Sequence, residues 1–308
     1  MNAYVKKYLL LSVSLISTLC AQETINTTAP DNVIILDIND VVAKASKIKI
    51  ARQSLSTSLV GYLLCNFGTP KKSMFDFLTQ EFGEQQPLNP NDPQDQWRFV
   101  LGDGDSKLPQ IMVDHKAGRI SAQAVLDKVH ERIEKPTKYV FSGYFEKQAV
   151  KELCDIVFHP TLIVENTYPI EQAIKLFKTC TEQTNTHIMI LSNFPKDTFE
   201  VFCKQPMTQA WMKELNITPD NIIISGCMGT TKPDVKIYSH AIKRLEELNP
   251  KFKDKEYLKQ HALFVDDKEC NIAGAQASGL TGIVCDGDYS KIRAALEKQG
   301  FLGMRSKL

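Results

Sequence analysis

Five short apolar runs recur along the chain, each bounded by polar or turn-forming residues. They are NVIIL before Asp37, HIMIL before Ser192, NIIIS ending at Ser225, ALFV before Asp266 and TGIVC ending at Cys285. Continuous runs of this length predict strands buried on both faces. Helical patterns alternate with the runs, at Thr167–Glu182, Lys236–Glu247 and Cys270–Ser278. The pattern therefore predicts an α/β fold with a doubly wound, Rossmann-like parallel sheet, whose ligands bind at the carboxyl ends of the strands.

A segment of different character separates the first run from the others. It contains the turn-rich stretch QQPLNPNDPQDQ and then the helical pattern SAQAVLDKVHERI, whose start is marked by Gly118 and Ser121. We therefore expect a mostly α-helical cap domain, residues 46–165, inserted into a core formed by residues 31–45 and 166–308.

The N-terminal residues have the pattern of a signal peptide. Lys6 and Lys7 precede an apolar run that ends at Cys20, which is shorter than the about 20 residues that a membrane helix needs. We expect residues 1–21 to be a signal peptide, the protein to be exported to the periplasm or the exterior, and the mature chain to have no membrane span. The alternatives are that this segment is an uncleaved anchor or a buried helix, and that the protein is cytoplasmic.

Composition narrows the choice of partner. Lys and Arg number 37 and Asp and Glu 36, and no basic stripe is present, so nucleic acid is not an expected partner and a small molecule is. The seven cysteines outside the N-terminal segment show no paired spacing, so neither a disulfide framework nor a cysteine metal site is indicated. Free cysteines fit poorly with an oxidising compartment.

Polar residues that carry chemistry follow the apolar runs. Asp37, Ser192 and the pair Asp266–Asp267 each come at or directly after a predicted strand, and Lys232 precedes a helix whose start Pro233 marks. Singly, each has an ordinary explanation as a turn, cap or surface residue. Together, Asp37, Asp266 and Asp267 carry three negative charges, which Lys232 and one Mg²⁺ would neutralise. Carboxylate oxygens suit Mg²⁺, so the sequence predicts a magnesium site.

The order of these motifs resembles that of the haloacid-dehalogenase-like (HAD) hydrolases. Asp37, Ser192–Asn193, KPDVKIY and FVDDKECNIAGAQASGL are similar to the four motifs of that superfamily. The insertion is similar to the helical cap of its first subfamily, and HKAGRISAQAVLDKV resembles a cap-helix entry found among sugar-phosphatase-like members and epoxide-hydrolase phosphatase domains. The resemblance implies a Mg²⁺-dependent phosphatase that acts on a small phosphorylated metabolite.

The resemblance also implies a role for each residue. Asp37 would be the nucleophile that forms an aspartyl-phosphate. The Asp37 side chain, the Asn39 carbonyl and Asp266 would hold Mg²⁺, and Asp267 would support the metal waters and Lys232. Ser192, Lys232 and the amide of Asn193 would bind the phosphoryl group.

Asn39 departs from the phosphatase pattern. Most such phosphatases have Asp two residues after the nucleophile, where it transfers protons, and an amide cannot do this. Its loss is expected to slow turnover, since general acid–base catalysis is worth about 10² to 10⁴ in rate. Asp40 is a possible substitute, but alternation along an extended chain predicts that it points away from Asp37.

Two other functions are compatible with this sequence. A catalytically weak binding or regulatory protein is favoured by Asn39 and opposed by the retained Asp37, Lys232 and Asp266–Asp267. A haloacid dehalogenase would share Asp37 and Lys232, but the acidic pair argues against it, because such dehalogenases need no metal.

Overall fold

The computed structural model of the chain describes residues 30–46, 49, 70–84 and 108–303. Residues 1–21, predicted as a signal peptide, and the turn-rich stretch of the insertion lie outside this range and stay predictions. Within the described ranges, no helix is both long and apolar enough to cross a membrane.

The described part of the chain contains seven strands, five of them in one parallel sheet. They are β1 (Asn32–Leu36), β2 (Ala43–Ala45), β3 (Thr167–Pro169), β4 (Thr186–Ser192), β5 (Ile222–Ile224), β6 (Ala262–Asp266) and β7 (Thr281–Val284). The parallel sheet has the spatial order β5-β4-β1-β6-β7, so β1 is central. All five apolar runs form strands of this sheet. The predicted α/β class is therefore confirmed.

Helices pack around these strands, and the described part of the inserted segment is also helical. The described helices are α1 (Pro70–Phe82), α2 (Gln110–Lys116), α3 (Ala122–Glu134), α4 (Tyr144–Phe158), α5 (Pro160–Glu165), α6 (Glu171–Gln183), α7 (Lys196–Cys203), α8 (Pro206–Glu214), α9 (Ser225–Met228), α10 (Val235–Leu248), α11 (Lys255–His261), α12 (Glu269–Ala277) and α13 (Tyr289–Lys298). The helices predicted at Lys236–Glu247 and Cys270–Ser278 correspond to α10 and α12 and are confirmed to within a residue or so at each end.

The central strand explains why its run is apolar without alternation. Ile34 and Leu36 pack in a cluster with residues of α6 and α13, whereas Val33 and Ile35 pack in a second cluster with residues of α10 and α12. Successive side chains of a strand point to opposite faces. Both faces of β1 are therefore covered by helices, and all four of these side chains are fully buried.

The inserted segment has an apolar cluster of its own, contributed by α1, α2, α3 and α4. The predicted start of α3 is confirmed, because the Ser121 hydroxyl accepts a hydrogen bond from the Ala124 N–H at 3.3 Å. The predicted division into a core and a cap domain stays a prediction.

The helix predicted from Thr167 begins four residues later than expected. Thr167–Pro169 instead forms β3, which pairs antiparallel with β2, and α6 begins at Glu171. Proline restrains the residue before it to extended conformations, and Thr and Tyr favour strands. The strands β2 and β3 flank the insertion in the sequence, and their pairing brings its two ends together.

Candidate active site

Three strand ends bring the predicted motifs to one edge of the sheet. β1 lies between β4 and β6, and the Asp37 N–H donates to the Val265 carbonyl at 3.0 Å. Because parallel strands share a direction, the residues after β1, β4 and β6 meet at the carboxyl edge. One carboxylate oxygen each from Asp37, Asp266 and Asp267 lies within 4.8 Å of the other two. The predicted acidic cluster is therefore brought together.

Lys232 is the counter-ion of this cluster. Its ammonium group lies 2.6 Å from Asp266 Oδ2 and 3.0 Å from Asp37 Oδ1, and it donates to the Leu191 carbonyl at 2.9 Å. Its side chain is fully buried. Burial alone would lower the pKa of Lys232, but the charges of Asp266 and Asp37 outweigh it and raise that pKa. Lys232 is therefore a fixed cation at neutral pH.

Asn193 fixes the backbone of Lys232 from the end of β4. Its side chain accepts from the Lys232 N–H at 2.7 Å and donates to the Lys232 carbonyl at 2.9 Å. The sequence predicted Asn193 only as a phosphoryl ligand, so this positioning role was missed. The helix after Lys232 begins at Val235 with Asp234 as its N-cap, so Pro233 precedes the start that it was predicted to mark.

The two adjacent aspartates have different surroundings. Asp266 is fully buried, and besides Lys232 it accepts from the Lys268 N–H at 2.9 Å and from the Asn271 side chain at 2.8 Å. Asp267 is half-buried and lines the cavity. The ion pairs of Lys232 are with Asp266 and Asp37, whereas Asp267, which was expected to support Lys232, acts on it only through charge at a longer distance.

Burial and like charge raise the pKa of two carboxyl groups. Burial is the largest cause for Asp37, opposed by Lys232 and supported by Asp266. The pKa of Asp267 rises to about 7, through burial and then the charges of Asp37 and Asp266. Such a group favours either a proton or a cation close by.

A small cavity of about 130 Å³ opens onto these groups. A cavity of this size suits a compact ligand. Among the described residues, its walls are formed by the sheet edge and by three residues of the insertion. The sheet edge contributes Asp37, Asn39, Asp40, Asn193, Thr231, Asp267, Lys268 and Asn271, and the insertion contributes Leu108, Val113 and Lys116.

The chain turns sharply after Asp37. The N–H groups of Val42 and Ala43 donate to the Ile38 carbonyl at 3.0 and 2.9 Å, and Asp40 has a φ of +58°. Aspartate tolerates this left-handed conformation better than most residues. Asn39 and Asp40 are consequently both exposed and both line the cavity. The extended chain that was assumed here is not observed, because the backbone turns at Asp40; the expected direction of the Asp40 side chain relative to Asp37 stays a prediction.

Ser192 is buried at the end of β4 and is not among the residues that line the cavity. The residue is fully buried, and within the described ranges its hydroxyl has no hydrogen-bond partner of normal geometry. Asp37 Oδ1 likewise accepts no hydrogen bond of normal geometry there, although Lys232 lies 3.0 Å away. Buried polar atoms are seldom left unpaired. The Ser192 and Asp37 side chains lie close enough to interact, and their interaction lowers the pKa of Asp37 against the effect of burial.

Two of the cavity residues could not be found from the strand ends. Asn271 lies in the first turn of α12, and its position five residues after Asp266 gives a local signal that the sequence analysis did not use. Lys116 comes from the insertion, and burial followed by the nearby Lys268 charge lowers its pKa to about 8. Its place in the cavity depends on tertiary packing and has no local sequence signal.

Solved structures similar to this chain include HAD family hydrolases. A HAD family enzyme from Bacteroides thetaiotaomicron, in complex with magnesium and inorganic phosphate, is 14% identical, with a TM-score of 0.45, over 85% of this chain and 98% of that chain. A predicted HAD-like family hydrolase from Porphyromonas gingivalis is 15% identical, with a TM-score of 0.45, over 87% and 97%. A dehalogenase with an intermediate complex is 12% identical, with a TM-score of 0.42, over 82% and 84%.

The chain resembles the HAD-like hydrolases. That resemblance rests on the motifs in the sequence. No protein-family model and no curated protein matches the chain. The HAD assignment, to phosphatases with a helical cap of the first subfamily, stays a prediction.

Proposed function

We propose that this protein is a Mg²⁺-dependent phosphatase that hydrolyses a small phosphorylated metabolite. The observation that carries the proposal is the buried Asp37–Lys232–Asp266 group, with ion pairs of 3.0 and 2.6 Å, directly beside Asp267 and the cavity. A carboxylate held next to a fixed ammonium group, at the end of a central strand, is suited to attack an electrophile bound in the cavity.

The residues present fit a divalent cation. The three carboxylates carry −3 and Lys232 carries +1. Lys116 and Lys268 on the cavity wall offset part of the remaining negative charge, and Mg²⁺ would offset the rest. Because both oxygens of Asp266 already accept hydrogen bonds or the Lys232 ion pair, we assign the ligand role to Asp37, Asp267 and the Asn39 carbonyl. Asp266 then orients Lys232, which exchanges the two roles expected from the sequence. When bound, Mg²⁺ would neutralise charge on the phosphoryl oxygens.

The chain's own residues would divide the reaction between them. An Asp37 oxygen forms a bond to phosphorus while the bond from phosphorus to the leaving oxygen breaks, and the leaving oxygen keeps the electron pair. Lys232 would stabilise the charge on the phosphoryl oxygens, and the buried Ser192 hydroxyl supplies a hydrogen-bonding group beside Asp37. Water then attacks phosphorus of the aspartyl-phosphate, which releases phosphate and restores Asp37.

A catalytically weak binding protein is the second candidate, and Asn39 favours it. Asn39 lines the cavity where a proton-transferring carboxyl would be expected, and its amide cannot exchange a proton at neutral pH. Dehalogenation is disfavoured by the Asp266–Asp267 pair, which creates the charge excess that a metal would balance.

Phosphate release from an aryl phosphate tests the proposal. The wild type is expected to need Mg²⁺, and Asp37→Asn is expected to lose at least about 10⁴ in rate, as removal of a nucleophile does elsewhere. Asp127→Asn, which changes an exposed acid of α3, is the matched control and is expected to keep the wild-type rate.

Asn39→Asp separates the two candidates. It is expected to raise turnover at least about tenfold, since a general acid is worth about 10² to 10⁴. Activity in Asn39→Asp with a silent wild type would favour the binding protein instead. Full activity in Asp37→Asn, or activity independent of Mg²⁺, would contradict the phosphatase mechanism.

A further inference from the structure

Lys116 is the one charged side chain that the described part of the insertion contributes to the cavity. Leu108 and Val113, its neighbours in that wall, are apolar. Lys116 lines the same cavity as Asp37 and Asp267, and their charges raise its pKa against the larger lowering effects of burial and of Lys268. Lys116 is half-buried in an otherwise apolar wall. Burying an ammonium group costs free energy unless negative charge lies close by, so this position favours an anionic ligand in the cavity.

The end of α2 that carries Lys116 is fixed to the core. The Ser225 hydroxyl donates to the Lys116 carbonyl at 2.5 Å, and Arg119 donates to the Gly229 carbonyl at 3.0 Å. Gly118 lies so close to Gly226 that a Cβ atom there would come within 2.0 Å of the Gly226 oxygen. These contacts hold the Lys116 backbone in place over the cavity.

In the proposed reaction the leaving oxygen lies on the side of phosphorus that faces the insertion. In phosphoryl transfer the attacking and leaving oxygens lie roughly in line through phosphorus. Asp37 attacks from the end of β1, and Lys232 and Asn193 also belong to the sheet edge. The leaving oxygen therefore departs away from that edge, on the side where the insertion closes the cavity.

We infer that the Lys116 ammonium group stabilises the negative charge on the leaving oxygen, in place of the acid that Asn39 cannot supply. This inference rests on the proposed phosphatase function. As the bond from phosphorus to the leaving oxygen breaks, that oxygen keeps the electron pair and becomes an alkoxide or aryloxide beside Lys116. It then takes its proton from water, and Lys116 remains protonated throughout.

The dependence of rate on the leaving group tests this role. The kcat/KM of the full chain with Mg²⁺ is measured for a series of aryl phosphates, from nitrophenyl to phenyl, and for an alkyl phosphate. Lys116→Met is compared with Lys116→Arg, which keeps a cation, and with Lys128→Met, which removes an exposed lysine of α3. Thermal unfolding of each variant checks that it is folded.

A poor leaving group needs the cation most. Lys116→Met is expected to lose about 10²- to 10³-fold with the alkyl phosphate, the usual effect of removing one charge-stabilising donor, and much less with nitrophenyl phosphate. Lys116→Arg is expected to restore most of the loss, and Lys128→Met to follow the wild type.

Equal losses for all leaving groups would overturn the inference, since Lys116 would then bind the phosphoryl group or a second anionic group. That result leaves the proposed function standing, because the wild type still releases phosphate. A wild type that releases no phosphate from any of these compounds would overturn both.

Discussion

The two walls of the cavity are built in different ways. On the sheet edge, Lys232, Asp37 and Asp266 are buried and joined by short ion pairs, and Asn193 fixes the Lys232 backbone on both sides. On the insertion, Lys116 is held through two hydrogen bonds and one close glycine contact. The wall assigned to the nucleophile is therefore rigid, whereas the wall assigned to the leaving group depends on how the insertion docks.

Replacing Lys232 is expected to have the largest effect on stability and activity. Lys232→Met leaves Asp37 and Asp266 buried without their counter-ion, which is expected to cost about 3–5 kcal/mol in the free energy of unfolding and to abolish activity. Urea unfolding measures the first effect and phosphate release the second. Lys236→Met, at an exposed lysine in the first turn of α10, is the control. Equal stability of the two variants would mean that the ion pairs contribute little.

Gly118→Ala tests the docked wall. Its new Cβ would lie 2.0 Å from the Gly226 oxygen, and φ at this position is +70°. We expect a loss of about 1–3 kcal/mol from backbone strain, together with a fall in activity as Lys116 is displaced. Gly83→Ala provides the matched control, because Gly83 also has a positive φ, +81°, but no atom of the described residues lies within 4 Å of a new Cβ there. An equal fall in activity in both variants would argue against docking through Gly118.

The Glu81→Gln variant tests a part of the insertion that does not line the cavity. Its buried carboxylate accepts from the N–H groups of Thr137, Lys138 and Tyr139. Glu81→Gln is expected to lose about 1–3 kcal/mol at neutral pH, because the amide cannot accept all of these bonds. Activity is expected to change little, in contrast to Gly118→Ala.

The pH dependence of this stability has a definite sign. Burial alone would raise the pKa of Glu81, but its N–H donors lower that pKa from 4.5 to about 2. The stabilisation is therefore complete above about pH 4.5 and is lost as the pH falls through about 2. The stability difference between wild type and Glu81→Gln should narrow across that window in urea unfolding, and a constant difference would contradict the assignment.

Asp267 concerns the sheet edge, and its effect is smallest near neutral pH. Its pKa is raised to about 7, so below that pH a proton competes with a cation for the carboxylate. The apparent affinity for Mg²⁺, measured by calorimetry, should fall by up to about tenfold per pH unit below pH 7. Asp267→Asn should bind Mg²⁺ weakly and with less pH dependence. An affinity that does not change between pH 5 and about 7 would exclude Asp267 as a ligand.

The difference between the walls also explains what the sequence could predict. Asp37, Ser192, Asp266 and Asp267 follow apolar runs, and the geometry of a parallel sheet then brings them to one edge. The turn at Asp40 and the start of α6 were missed, because the local backbone departs from the extended or helical pattern assumed there. Lys116 was missed because it reaches the cavity only through packing between the insertion and the core.

The central claim is that Asp37 becomes phosphorylated during turnover. Rapid acid quenching of the wild type with Mg²⁺ and an aryl phosphate, followed by peptide mass spectrometry, tests it directly. The expected result is one added phosphoryl group on the peptide that contains Asp37, absent in Asp37→Asn and absent without Mg²⁺. Phosphate release from an active wild type with no phosphoryl group on Asp37 at any quench time would contradict this mechanism.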